Sequence, residues 1–211
     1  MRYLVPAFIG EGPTDFRFLE PLILRMLRGC LQRATDVVEI QTPIRHLSPA
    51  TRRQADIVDS LRTVAAEVDL IFLHTDGGGD PGRAMQERVT PIFEQLRHIE
   101  SMRCIGIVPV HETEAWVLVD GDALRTVFGT TRSNMELGLP RSALDVEALA
   151  DPKAVLRQTH DRVTGARRRR RQMPLGLLGE HVALDRLRRL GAFRAFENEL
   201  AAALRTSGLI T

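Results

Sequence analysis

The sequence predicts an α/β protein: a mostly parallel central sheet flanked by helices, with a C-terminal helical extension. Short apolar runs alternate with amphipathic helical segments up to about Asp120, and beyond it the strand signal disappears while helical periodicity continues. Three of the runs are also followed at once by acidic residues. Strands that alternate with helices pair in parallel and are covered on both faces by right-handed crossovers. Residues 1–122 form the α/β core and residues 123–211 a helical extension packed on it.

Leu4 to Ile9 reads as a buried strand, and Gly10 to Asp15 as a tight turn into a helix capped by Thr14. Phe16, Leu19, Ile23 and Met26 or Leu27 share one face of that helix, Pro21 should kink it, and Gly29 should stop it. Val37 to Ile40 is a second strand. Ser48 and Pro49 supply a cap and first-turn proline for a helix burying Ile57, Leu61, Val64 and Val68. Leu70 to Leu73 is the third strand, and the glycines at 77–79 after it let backbone approach a ligand closely. A helix with Met85, Val89, Ile92, Leu96 and Ile99 follows, with Pro91 inside it. Cys104 to Val110 is the fourth strand. Asp122 to Phe128 reads as helix, Arg132 to Pro140 as loop, Asp151-Pro152 as a helix start, and Leu184 to Leu204 as an amphipathic helical tail.

The 44% hydrophobic content suffices for a real core in a chain of 211 residues. No stretch approaches the roughly 20 apolar residues of a membrane span, and the short apolar N-terminal run lacks a basic leader. Cys30 and Cys104 have neither CxxC nor zinc spacing, so a soluble protein of a reducing cytoplasm is expected. The net charge of +2 hides an uneven distribution, with acids at predicted strand ends and an uninterrupted Arg167-Arg168-Arg169-Arg170-Arg171 run. Phosphate contacts by that run would make binding strongly salt-dependent, whereas the bland reading is a solvated loop.

Glu11 follows the first strand, Asp76 and Asp80 the third, and Glu112 and Glu114 the fourth. In an open α/β sheet the crevice at the carboxyl ends of the strands is the usual ligand site. Carboxylates gathered there repel one another unless a cation sits among them, so Mg²⁺ or Mn²⁺, one or two ions, is the expected occupant. Asp80 precedes Pro81 and is equally a helix cap, Glu114 opens a helix where the dipole favours a carboxylate, and Asp120 reads as a ligand or the next cap. His74 reads as a satisfied strand-end histidine, and Trp116 as core. Lys153 is the sole lysine, set at a helix start where the dipole opposes it, and calls for a phosphate or the acidic cluster as partner.

The Gly10-Glu11-Gly12-Pro13-Thr14-Asp15 turn, the segment from His74 to Asp80, and Pro109 to Trp116 resemble the DUF4276 family of TOPRIM-like proteins, related to the nuclease domains of OLD-type proteins. The likeness extends to Asp151-Pro152-Lys153 and the Leu184 to Leu204 tail. It implies a TOPRIM-like core, Mg²⁺ bound through Glu11 and the Asp76 region, phosphodiester cleavage, and a partner ATPase of the AAA/ABC or SMC-like kind in bacterial anti-phage defence. The family pattern has two aspartates separated by one residue; here Gly78 takes the second position and Asp80 lies two further on.

The leading expectation is therefore a metal-dependent nuclease. Glu11, Asp76, Asp80 and Glu114 hold metal, Glu11 or Glu112 accepts the proton of the attacking water, and Lys153 stabilises transition-state charge. Two rivals use the same residues: a regulatory subunit that docks on an ATPase without catalysis, and a small-molecule phosphotransfer enzyme or phosphatase. Expected partners are nucleic acid and the ATPase, with no membrane; homo-oligomer formation is left open by the sequence.

Overall fold

A computed structural model describes residues 2–32, 34, 37–99, 102–165 and 172–210. The first apolar run forms two strands, β1 (Arg2–Leu4) and β2 (Pro6–Ile9), which enter different sheets. Between them the Val5 N–H donates to Asp69 Oδ2 at 2.7 Å and its carbonyl accepts from the Asp69 N–H at 2.9 Å, so a loop residue replaces the ladder neighbour. β1 pairs in parallel with β3 (Val38–Ile40). β2 lies between β4 (Arg45–His46) and β5 (Leu70–His74), and β6 (Arg103–Ile107) completes a four-stranded sheet in the order β4-β2-β5-β6. All described pairings are parallel, as expected.

Every residue of β2 and β5 is buried, because helices cover both faces. The period of two sorts the side chains. Phe8 and Phe72 join one apolar cluster with α1 (Pro13–Leu31), whereas Ala7, Ile9, Ile71 and Leu73 join a second with α2 (Gln54–Val64). The second cluster also takes in α3 (Pro81–Ala84) and α4 (Thr90–Leu96), which are joined by a π-helical turn at Met85–Val89. Pro91 has no N–H to donate and its ring crowds the carbonyl four residues back, and the Thr90 N–H reaches five residues back to the Met85 carbonyl.

The remaining helices are α5 (Glu114–Leu118), α6 (Gly121–Phe128), α7 (Asn134–Leu137), α8 (Ala143–Glu147), α9 (Pro152–Thr164), α10 (Leu175–His181), α11 (Leu184–Leu187) and α12 (Gly191–Thr206). α12 lies against the edge strand β6, and Phe193, Phe196, Leu200 and Leu204 join the cluster that holds Phe72 and Ile105. Residues on both sides of position 122 thus share one apolar cluster. No described helix is long and apolar enough to cross a membrane.

Several boundaries differ from expectation. α1 starts at Pro13 on an extended Gly12, with Thr14 inside the helix and no side-chain cap, and it runs through Pro21 and past Gly29. α2 begins at Gln54 instead of Pro49, because the Thr51 hydroxyl takes the Arg53 N–H at 3.1 Å and makes a local turn that competes with helix. The fourth strand ends at Ile107. Within the expected 132–140 loop, Ser133 and Glu136 form a capping box over the single turn of α7, which Gly138 closes at φ 72°. The tail breaks between α11 and α12.

Candidate functional site

Five of the predicted site residues meet at the carboxyl ends of β2, β5 and β6 in one polar network. It begins at Glu11. One oxygen, Oε1, accepts the Thr75 hydroxyl at 2.7 Å and the Asp76 N–H at 3.0 Å, while Oε2 pairs with the Arg52 guanidinium at 3.2 Å. Those bonds attach the turn after β2 to the turn after β5. Asp76 Oδ1 lies 3.5 Å from His74 Nε2, and Asp15 Oδ2 faces the same nitrogen at 4.0 Å. The Thr113 hydroxyl spans Asp15 and Glu114, at 3.3 and 3.4 Å. Glu114 Oε1 is 3.7 Å from Lys153 Nζ, and Glu112 Oε2 takes the Lys153 backbone N–H at 3.2 Å.

His74 is the least expected member. Its Nδ1 is bonded to the Ile107 carbonyl at 2.9 Å, which satisfies half of the ring. Its Nε2 and Asp76 Oδ1 are both buried without a hydrogen-bond partner. With Nδ1–H donating to a carbonyl, a neutral ring turns a lone pair toward two carboxylates, an arrangement that a proton on Nε2 relieves. Burial alone pulls the imidazole down, but the Asp76 carboxylate, Asp15 and the Ile107 carbonyl outweigh it, so His74 titrates above its ordinary value.

Glu114 is shifted for a different reason. It is 6% exposed, and burial raises its carboxyl above the usual glutamate range against the pull of a backbone N–H and the Lys153 ammonium; Glu112 and Asp15 push it further up. The folded chain therefore holds this proton more tightly than the unfolded chain, and stability falls as pH rises from the ordinary glutamate value through the folded one. Glu114→Gln removes the buried charge. It is expected to melt above the wild type at pH 8, with the gap closing toward pH 4 in thermal melts. A lower melting temperature at pH 8 would mean that the Lys153 pairing outweighs burial.

The loop carrying Asp76 is held down by backbone. Gly77 and Gly79 donate to the carbonyls of His111 and Val110 at 3.1 and 2.7 Å. A Cβ at Gly77 would run into the carbonyl oxygens of Pro109 and Val110. Gly77→Ala is expected to cost about 1–3 kcal/mol in chemical denaturation, the usual range for forcing extra atoms into a packed site.

Asp80 stands apart from this network. Its carboxylate takes the Arg83 N–H at 2.9 Å and caps α3, with Pro81 in the first turn. Asp120 is likewise committed: Oδ1 caps α6 through the Asp122 and Ala123 N–H groups, and Oδ2 takes the Ala183 N–H at 2.9 Å. Trp116 is buried core. Arg167 to Arg171 lie outside the described residues. Sequence reasoning passed over Asp15, Arg52, Thr75 and Thr113. Asp15 was read as part of the turn after the first strand but lies in the first turn of α1, and the other three have no pattern in the chain that sets them apart.

Among the described residues, no three His, Cys, Asp or Glu side chains are arranged to hold a metal ion. No family model, curated protein or solved structure matches this chain.

Proposed function

We propose that this chain hydrolyses phosphodiester bonds of nucleic acid with Mg²⁺ or Mn²⁺ bound at the Glu11 and Asp76 end of the network. The observation that carries the reading is the Asp76 carboxylate at the carboxyl edge of a parallel sheet, its Oδ1 buried without a hydrogen-bond partner and its backbone N–H bonded to Glu11. Mg²⁺ keeps several waters and can be held by one or two carboxylates together with substrate phosphate, so the reading needs two protein ligands. Glu11 and Asp76 are those carboxylates. The ion, when bound, neutralises phosphate charge and acidifies a bound water.

The protein's own groups divide the remaining work. Glu112, outside that pair, accepts the water's proton. Thr75 and the Asp76 N–H fix the Glu11 carboxylate, and His74 Nε2 faces the Asp76 side chain at 3.5 Å. Lys153, half-exposed and only 3.7 Å from Glu114, offers an ammonium to the extra charge of the transition state. Asp80 is left out of the ligand set proposed here; its Oδ1 caps α3.

The test is cleavage of plasmid, single-stranded DNA and RNA in Mg²⁺, Mn²⁺ or EDTA, comparing the wild type with Glu11→Gln and Asp76→Asn. A second reading, a non-catalytic subunit of an ATPase complex, draws on the diversion of Asp80 into capping. Copurification with such an ATPase and no Mg²⁺ heat in calorimetry would decide for it.

A further inference from the structure

Beside Glu11, on the face of the sheet away from α1, a cavity of about 430 Å³ opens between α2 and the π-turn. Its floor is Ile9, Leu73, Val89 and Ile92, none more than 4% exposed. The polar residues around it are Glu11, Arg52, Gln54, Thr75, Glu87 and Arg88, together with the buried His74. The size falls within the roughly 300–1,000 Å³ of small-molecule sites, and an apolar floor under a few polar groups is their usual lining.

The rim is also built toward the carboxylates. Arg88 sits on the π-turn, and its guanidinium donates to the Asp76 carbonyl at 3.2 Å, so the widened turn beside Pro91 sets a cation at the lip next to the site. Arg52 pairs with Glu11 through a side chain that is 67% exposed, which leaves it free to exchange that partner for a phosphate. Gln54 offers both a donor and an acceptor at the mouth.

A nucleobase has apolar faces and a hydrogen-bonding edge, which match this floor and this rim. We propose that the cavity takes one unstacked base, with Arg52 and Arg88 on the adjoining phosphates, so that the substrate is single-stranded nucleic acid. This rests on the phosphodiester reading above and narrows it. A base in a duplex reaches such a pocket only by leaving its pair and its stack, and a single strand pays far less to present one.

The experiment measures binding of the full chain to labelled oligonucleotides of one sequence, as single-stranded DNA, single-stranded RNA and blunt duplex DNA. Ca²⁺ replaces Mg²⁺ so that binding is read without cleavage. At least one single strand is expected to bind tenfold or more tightly than the duplex. Ile57→Trp, which fills the cavity from α2, should bring that affinity down to the duplex level and leave duplex binding unchanged. Gln54→Trp at the exposed mouth serves the same purpose if the first variant does not fold, as judged by thermal melting. Equal binding of single strands and duplex, or a preference that survives both tryptophans, overturns the base pocket and leaves the nuclease reading standing. Absence of both binding and Mg²⁺-dependent cleavage for every polynucleotide overturns the nuclease reading itself, and the pocket with it.

Discussion

Glu11→Gln and Asp76→Asn are each expected to lower Mg²⁺-dependent cleavage by about 10²–10³-fold, or roughly 3–4 kcal/mol of transition-state stabilisation. Both substitutions keep the side chain's size and remove its charge. Glutamine at 11 retains an oxygen that can accept the Thr75 hydroxyl and the Asp76 N–H, so the two turns stay attached and a lost rate reports on charge. Asparagine at 76 also takes a carboxylate from beside His74, which then titrates lower than in the wild type. Asp80→Asn is the internal control. Asparagine caps a helix as well as aspartate does, so this variant should cleave and melt like the wild type. Wild-type cleavage by both Glu11→Gln and Asp76→Asn would sink the metal reading, and a large loss in Asp80→Asn would restore Asp80 to the site.

Trp116→Ala is expected to cost about 3–5 kcal/mol in urea denaturation, against a total stability of about 5–15 kcal/mol for a folded domain. The indole is 1% exposed. It meets Phe193 edge-on at 5.2 Å and 86°, and stacks on Phe196 at 6.0 Å and 17°. Phe196 in turn reaches Phe72 of β5 at 6.2 Å. Truncation therefore leaves a void where α5, α12 and the sheet converge, and little around it can move in to fill the space. Because residues before and after position 122 share this cluster, unfolding should remain one transition with a lowered midpoint. Trp116→Phe, which keeps an aromatic ring in the cluster, should recover much of the loss. Two separated transitions in the wild type would instead mark the extension as an independent unit.

The alternating strands and helices were legible because each carries its own period. Ala7 and Ile9 face one way and Phe8 the other, and the same alternation recurs in Ile71, Phe72 and Leu73. The Asp151 helix start was legible for a similar reason, since a short acidic side chain before a helix has a local partner, and a cap was one of the two readings open for Asp120. What escaped were features in which neighbouring signals compete. Thr51 diverts the start of α2, Val5 divides a run that looks continuous, and the single turn of α7 is too short to show a helical period.

The chain by itself determined the parallel α/β order and the delivery of Glu11, Asp76, Glu112 and Glu114 to the ends of strands, because periodicity and turn chemistry act over a few residues. Only the tertiary structure decided which of those acids share a network, that Asp80 serves a helix end, and that His74 stands between Asp15 and Asp76 with one nitrogen unsatisfied. The physical reason is range. A side chain's charge, hydrogen-bond partner and solvent depend on residues remote in the chain, 98 positions apart in the case of Thr113 and Asp15, and strand order and register bring those residues together.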